Sequence, residues 1–413
     1  MTHSAGHDRR LVGWLSLAQL ISWGTVFYTF ALIMAPVERE LGLSRAQSSI
    51  AFSLALLAEG LMAYPVGRLI DRGHERLVMT AGSVLAGACL VLHGWVTSAM
   101  GFYAVWTGLG VAMSAVLYSP VFAVVTRRYP QDFRRAIITM TFLGGLASTV
   151  FIPATAWLIA TQGWRHALTA LAALHWLVCA PLHATVLRGA AARRTTAAPQ
   201  HRAPPQADSA AAHLVSAPFL LIGAFVMLMT PATAAVPAHL VSLLRENGLS
   251  EAWVIAIPAS IGVIQVLGRL LLFFFEHRFD LHRANRFIPG LIPLGLAALL
   301  AAPLLGAAHA WAVLLFVALY GMGNGMLTIV KGTAMAQYVN RDHVATLNGA
   351  LGLPLALVRA ASPLLLGLMW SAQSGYAQGL WMLLATSVVG VGALVLAQRF
   401  ASARRQGGPE STT

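Results

Sequence analysis

The chain has 413 residues, of which 58% are hydrophobic and only 10% charged, with a mean hydropathy of +0.71 and a formal net charge of +13. A soluble domain cannot bury so large an apolar fraction, so a soluble enzyme or binding module is excluded. The positive charge does not indicate nucleic acid either, because the arginines fall in short gaps between apolar blocks rather than on one face.

The N-terminal stretch MTHSAGHDRR is short and polar and no small-residue cleavage site follows it, so the first apolar block reads as a retained span. The apolar blocks have the length that crosses a bilayer as a helix. They cover 11–36, 47–70, 77–97, 99–126, 136–161 and 164–187, then 214–240, 251–275, 287–306, 309–336, 344–371 and 377–399. The expected fold is an all-α membrane protein with twelve transmembrane helices in two six-helix bundles around a central cavity. The N-terminal bundle takes 1–187 and the C-terminal bundle 214–399. Between them, 188–213 is rich in Ala, Pro and Arg without an apolar period and reads as a flexible linker, and 400–413 forms a tail.

The basic residues give an orientation. Twenty arginines lie in the two tails and the even-numbered gaps, whereas the odd-numbered gaps hold four, Arg39, Arg45, Arg165 and Arg245. By the positive-inside rule both termini and the linker are cytoplasmic, in a multi-pass protein of the cell inner (plasma) membrane. Cys89 and Cys179 both lie in apolar blocks and give neither a disulfide framework nor a metal-ligand spacing. No nucleophile–base pair or metal cluster stands out, so neither an enzyme nor a cofactor is expected.

The two halves echo each other. PVGRLIDRGHER follows span 2 and GRLLLFFFEHRFDLHR follows span 8; RRYPQDFRRA follows span 4 and QYVNRDHVAT follows span 10. Such a half-chain repeat marks a two-bundle transporter with its substrate site near the midplane.

Three basic residues lie inside spans: Arg269, Lys331 and Arg359. Lys331 is the only lysine in the chain. Asn324, Thr328 and Lys331 are spaced i, i+4, i+7 and share one helical face, with Leu, Ile, Val and Met opposite. A polar stripe in a span faces protein or water, although Lys331 is also within snorkelling reach of the cytoplasmic interface. Arg269 is about 10 Å into span 8, with Gln265 one turn away on its face. Arg359 is about 22 Å along span 11 from Asp342, too deep to snorkel, with Asn348 and Gly352 on its side; its structural alternative is an ion pair, for example with Glu59. Glu59 is the only acid deep in a span, about 18 Å from Asp71. It could carry a coupling proton or pair with an arginine, and both readings stand. Trp23 and Tyr28, within span 1, read as packing residues, and the histidines receive no role.

The stretch GRLIDRGHER, residues 67–76, resembles the signature of the major facilitator superfamily between helices 2 and 3, with Gly67, Asp71, Arg72 and Arg76 at the pattern's spacing. GWR at 163–165 is also common in that superfamily. SWGTVFYTFALIMAPVERELGLSRAQSS, residues 22–49, and GNGMLTIVKGT resemble monocarboxylate-porter-like members, which often carry Arg where Lys331 stands. Relatives often pair an Asp with an Arg four residues later in helix 8; here Gln265 and Arg269 keep only the Arg. The resemblance implies alternating access. Gly67, Arg68, Asp71, Arg72 and Arg76 are then read as a gating clamp, against a cluster that only sets orientation.

Three cations against one acid make the expected cavity positive, which favours an anion. The expected function is a secondary transporter of a small organic anion, with the resemblance sharpening this to a monocarboxylate, possibly coupled to H+. Substrate-binding candidates are Arg269, Lys331, Arg359, Asn324, Thr328, Gln265 and Asn348, and the proton-coupling candidate is Glu59. The expected partners are the anionic substrate and the lipid bilayer, with no nucleic acid and no second copy. A proton-driven exporter of a hydrophobic drug or metalloid is the alternative within the same class. A non-transporting membrane sensor or scaffold is the alternative from another.

Overall fold

The structure is a computed structural model that describes residues 2–128, 133–188, 214–275, 281–339 and 344–406. The expected linker lies outside these save for Arg188, as do residues 407–413 of the tail. The described residues are helical almost throughout, and the β pairing among them is a single bridge between Ser371 and Gly375.

Eleven of the described helical stretches are long and apolar enough to cross a membrane. One of them, Thr139–Val186, has 48 residues, more than twice the length of one crossing. At Gly163 its backbone leaves the helix with φ 79° and ψ 160°, a conformation glycine adopts without steric cost. Dividing the stretch there gives twelve crossings, the number the apolar blocks predict. We number them in chain order. α1 runs through Thr2–Ser22, Trp23–Tyr28 and Thr29–Leu41, α2 is Arg45–Asp71, and α3 is Glu75–Leu92. α4 comprises Ala99–Val116 and Tyr118–Arg128, α5 covers 133–162 and α6 covers 164–186. α7 is Ala217–Glu246, α8 Glu251–Phe275, α9 Leu281–Ala301, α10 His309–Tyr338, α11 Val344–Leu368 and α12 Ala377–Gln406.

The ends of α1 and α7 are written alike. Glu40-Leu41-Gly42-Leu43-Ser44 follows the first and Glu246-Asn247-Gly248-Leu249-Ser250 the second. Gly42 and Gly248 take left-handed φ values of 66° and 75°, which close the helices. Ser44 then caps α2: its hydroxyl accepts from the Gln47 N–H at 3.2 Å while the Gln47 carboxamide oxygen accepts from the Ser44 N–H at 2.9 Å.

The chain divides into two compact units. The first holds residues 1–199 together with 235–263 and 363–375, and the second holds 200–234, 264–362 and 376–413. In the first, Leu15 of α1, Ile70 of α2, Met79 of α3, Val124 of α4 and Met140 of α5 share one buried core. The backbones of α2 and α4 also touch, since a Cβ at Gly110 would lie 2.1 Å from the Ala55 carbonyl oxygen. In the second unit the run YGMGNGM brings α10 against its neighbours. A Cβ at Gly325 would lie 2.4 Å from the Gln265 carbonyl oxygen on α8, and one at Gly323 would lie 2.9 Å from Leu291 on α9.

Each unit is also tied by polar groups. In the first, Arg128 of α4 pairs with the fully buried Glu75 at 3.5 Å and donates to the Leu187 carbonyl at 3.2 Å, joining the ends of α3, α4 and α6. In the second, the tie among α9, α10 and α12 is mostly neutral. Asn285 donates to Gln337 and to the Tyr338 hydroxyl, Gln398 donates to that same hydroxyl, and Arg286 donates to Gln398.

Candidate functional site

The basic trio lies wholly in the second unit. Lys331, half-buried on α10, donates from Nζ to the Thr230 hydroxyl of α7 at 3.4 Å. That hydroxyl donates its own proton to the Val226 carbonyl at 2.7 Å, which leaves its lone pairs for the ammonium. Arg359, half-buried on α11, stands near enough for its charge to act on Lys331. α9, α10, α11 and α12 contain no acidic residue. Two like charges therefore share a region in which those four helices supply nothing of opposite sign, and like charges there disfavour each other.

Arg269 of α8 donates from Nε to the Gly325 carbonyl at 3.1 Å. That bond sits beside the close approach of Gly325 to Gln265, so glycine at 325 is what lets the arginine reach α10. Gln265 itself is buried against this contact, with 8% of its surface exposed. Asn324 is half-buried, whereas Thr328 and Asn348 are exposed, and Thr328 donates to the Asn324 carbonyl at 3.3 Å. Thr230 went unremarked in the sequence. The signal available was a hydroxyl followed by proline, Thr230-Pro231, inside an apolar run.

The remaining candidates lie in the first unit. Glu59 is half-buried on α2. Of the expected clamp, Arg68, Arg72 and Arg76 are exposed, Gly67 has open space beside it, and the Asp71 side chain lies outside the described residues. Arg68 lies over the Tyr64 ring at 5.8 Å.

The first unit also contains a seam that joins the two halves of the sequence. Arg45, at the start of α2, pairs with Glu38 of α1 at 2.9 Å and with Glu246 at the end of α7 at 3.4 Å. Its guanidinium lies 5.1 Å from the centre of the Trp370 ring, and the Trp370 N–H donates to Glu246 at 2.9 Å. One layer deeper, His239 Nε2 donates to the Pro363 carbonyl at 3.0 Å, and the Ser53 hydroxyl accepts from the Leu364 N–H at 3.2 Å. Backbones approach closely here too. A Cβ at Gly367 of α11 would lie 2.5 Å from the Ser49 hydroxyl of α2, and one at Gly262 of α8 would lie 2.6 Å from the Gly145 carbonyl of α5. Thr149 adds a bond to the Ala259 carbonyl at 2.7 Å. Gly145 and Gly262 lie near the middle of α5 and α8, whereas the Arg45 cluster lies at the end of the helices flanked by the arginine-poor gaps. Beside it, Glu40 accepts from the Trp164 indole at 2.7 Å and pairs with Arg165.

The profile of the Major Facilitator Superfamily matches residues 15–363. Among solved structures, the chain is similar to a bacterial homologue of the human lysosomal transporter Spinster, in an inward-facing and unoccupied conformation. The TM-score is 0.72 at 18% identity over 98% of this chain and 99% of that one. It is also similar to the nucleoside transporter NupG, with a TM-score of 0.70 at 16% identity over 95% of this chain and 98% of that one. At such identities the likeness establishes the fold and no more. No curated protein matches the chain in sequence.

Proposed function

The chain belongs to the major facilitator superfamily and is a multi-pass membrane transporter, and on that premise we propose that it carries a small organic anion, a monocarboxylate by class, by alternating access. The observation that carries this reading is the pair Lys331 and Arg359, two neighbouring cations in a unit whose helices α9–α12 are free of acids. A carboxylate between them relieves their repulsion and gains charge-assisted hydrogen bonds from both. Lys331 offers three donors on a flexible stem and Arg359 a planar fork, so one point contact and one bidentate contact together fix a carboxylate's orientation. Arg269 donates from Nε to the Gly325 carbonyl, which fixes its guanidinium at the contact of α8 with α10.

Alternating access requires the seam around Arg45 to part when substrate enters from that side. The arginine asymmetry assigns that side to the outside, with both termini and the 188–213 linker in the cytoplasm of a cell whose inner membrane holds the protein. Glu59, the only acid deep in a span, is the residue assigned to the coupling proton. Nucleosides, the cargo in NupG's name, are uncharged and leave the two cations without a role.

Uptake of radiolabelled short carboxylates into proteoliposomes, with and without a pH gradient, tests the reading. Saturable uptake of a monocarboxylate that its neutral amide does not inhibit is expected. Equal inhibition by the amide would show that charge is not what the site reads.

A further inference from the structure

α1 is longer than one crossing needs, being helical from Thr2 to Leu41 with a π-turn at Trp23–Tyr28. Glu38, Arg39 and Glu40 close its arginine-poor end, so Val37 is the last residue of its apolar stretch on that side. At about 1.5 Å per residue, Leu17 lies about 30 Å from Val37, Trp14 about 34 Å and Arg10 about 40 Å. The hydrocarbon core of a bilayer is about 30 Å thick, and the headgroup layers extend it to about 40–45 Å. Leu17 therefore stands at the edge of the hydrocarbon, and Trp14 and Arg10 stand at headgroup level.

Arg10, Gly13, Trp14 and Leu17 are spaced i, i+3, i+4, i+7 and share one helical face. Leu11 and Leu15 occupy the opposite face and are buried in the core of the first unit. The shared face borders a hollow of about 480 Å³. Arg10 is exposed, Trp14 keeps 50% of its surface open, and Leu17 is half-buried. Among the described residues, a Cβ at Gly13 would meet nothing within 4 Å, so the missing side chain is part of the hollow. Glycine weakens a helix relative to alanine. At Gly110 the approach of Ala55 calls for it, and at Gly13 no such neighbour does.

We infer that this hollow is a binding site for the headgroup of one anionic phospholipid. The Arg10 fork takes the phosphate, the amphipathic Trp14 ring lies along the glycerol, and Leu17 meets the start of an acyl chain. From Arg10 to Val37, α1 carries no acid, so the cation of a zwitterionic headgroup finds no partner on this helix. A soluble phosphate would use Arg10 alone and leave Trp14 and Leu17 without a role. The inference rests on the membrane assignment and not on what the protein carries.

The test is native mass spectrometry of the full chain released from detergent and titrated with dioleoylphosphatidylglycerol, dioleoylphosphatidylcholine or glycerol 1-phosphate. The phosphatidylglycerol is expected to bind about fivefold more tightly than the phosphatidylcholine, the contribution of one arginine beside an anionic headgroup. Arg10→Gln removes that preference. Arg188→Gln, at an exposed arginine after α6 on the same arginine-rich side, leaves it intact. Gly13→Leu keeps the charge and fills the hollow with a better helix former, and it is expected to lower phosphatidylglycerol binding as far as Arg10→Gln does. Glycerol 1-phosphate at the lipid's concentration does not displace it. Equal binding of the two lipids by the wild-type chain overturns the inference. So does an equal loss in Arg10→Gln and Arg188→Gln, which would reduce the effect to general surface charge. Full phosphatidylglycerol binding by Gly13→Leu would show that the hollow is not used, and displacement by glycerol 1-phosphate would show a phosphate site rather than a lipid site; either result overturns it too.

Discussion

Lys331 is the one lysine among 27 basic residues, and it donates to a threonine hydroxyl rather than to an acid. An ammonium held by a neutral hydroxyl keeps its charge for a ligand. Thr230 then positions Lys331 rather than neutralising it. Removing the hydroxyl in Thr230→Val is expected to weaken anion binding by about threefold, matching the ~0.6 kcal/mol of an average hydrogen bond within a membrane protein. Lys331→Ala is expected to cost at least tenfold, because a charge-assisted contact is lost. Concentration dependence of uptake separates the two, and equal losses in both variants would show Thr230 to contact substrate itself. Glu59 belongs to the same scale. Glu59→Gln is expected to abolish accumulation driven by a pH gradient while substrate exchange across the membrane continues. Gradient-driven accumulation persisting in that variant would assign the proton to another group.

Among the elements, the seam makes the clearest demand. Arg45 contacts Glu38 on its own half of the chain and Glu246 and Trp370 on the other, so the pair with Glu246 and the contact with the Trp370 ring must break when the halves separate, while the pair with Glu38 can persist. Both partners of the Arg45–Glu246 pair are partly exposed, so that pair is worth about 1 kcal/mol or less, which suits a contact broken in every cycle. Glu246→Gln is expected to raise the labelling rate of Ser53→Cys by a membrane-impermeant thiol reagent, about threefold. The exchanged pair Arg45→Glu with Glu246→Arg returns the rate toward the original. The native Cys89 and Cys179 are buried and stay silent. An unchanged rate in Glu246→Gln would remove the pair from the gate.

Much at this scale was open to a sequence reader and much was not. Apolar length gave all twelve crossings, because a bilayer imposes one length on every helix. The placement of Arg269, Lys331 and Arg359 within α8, α10 and α11 followed from counting residues along those blocks. The Arg45–Glu246 contact did not follow, because it joins residues 201 apart and Arg45 carries no local mark beyond its charge. The matching turns ELGLS and ENGLS were legible as a repeat and would have shown that the two loops are equivalent. The π-turns of α1 and α6 leave apolar composition unchanged, so periodicity is blind to them. Among the described residues, Glu75 is a buried acid at the arginine-rich end of the first unit that spacing did not single out, because burial depends on which neighbours meet a side chain.

At the scale of the whole molecule, twelve crossings and the arginine asymmetry together predict one topology. Gln200→Cys is expected to label only from the cytoplasmic side and Arg245→Cys only from the opposite side. Labelling of both from one side would require an even number of crossings between them. The two compact units do not follow the midpoint of the chain, since 235–263 and 363–375 pack with the first half. These are the segments that hold the seam, while the basic trio lies in the other unit. Gate and charge reader are thus built from different parts of the chain, and a variant in one is expected to spare the binding constant or the gate rate of the other.

The central claim is that two neighbouring cations read a carboxylate. The most direct measurement is the concentration dependence of labelled monocarboxylate uptake into proteoliposomes by the wild-type chain, Arg359→Ala and Arg359→Lys. Loss of Arg359 leaves the anion short of a partner in a poorly hydrated site, a cost of about 2–5 kcal/mol, so half-saturation is predicted to rise by at least tenfold. Arg359→Lys keeps the charge without the fork and falls between the two. Unchanged half-saturation in Arg359→Ala would contradict the account and leave transport of an uncharged compound as the better description.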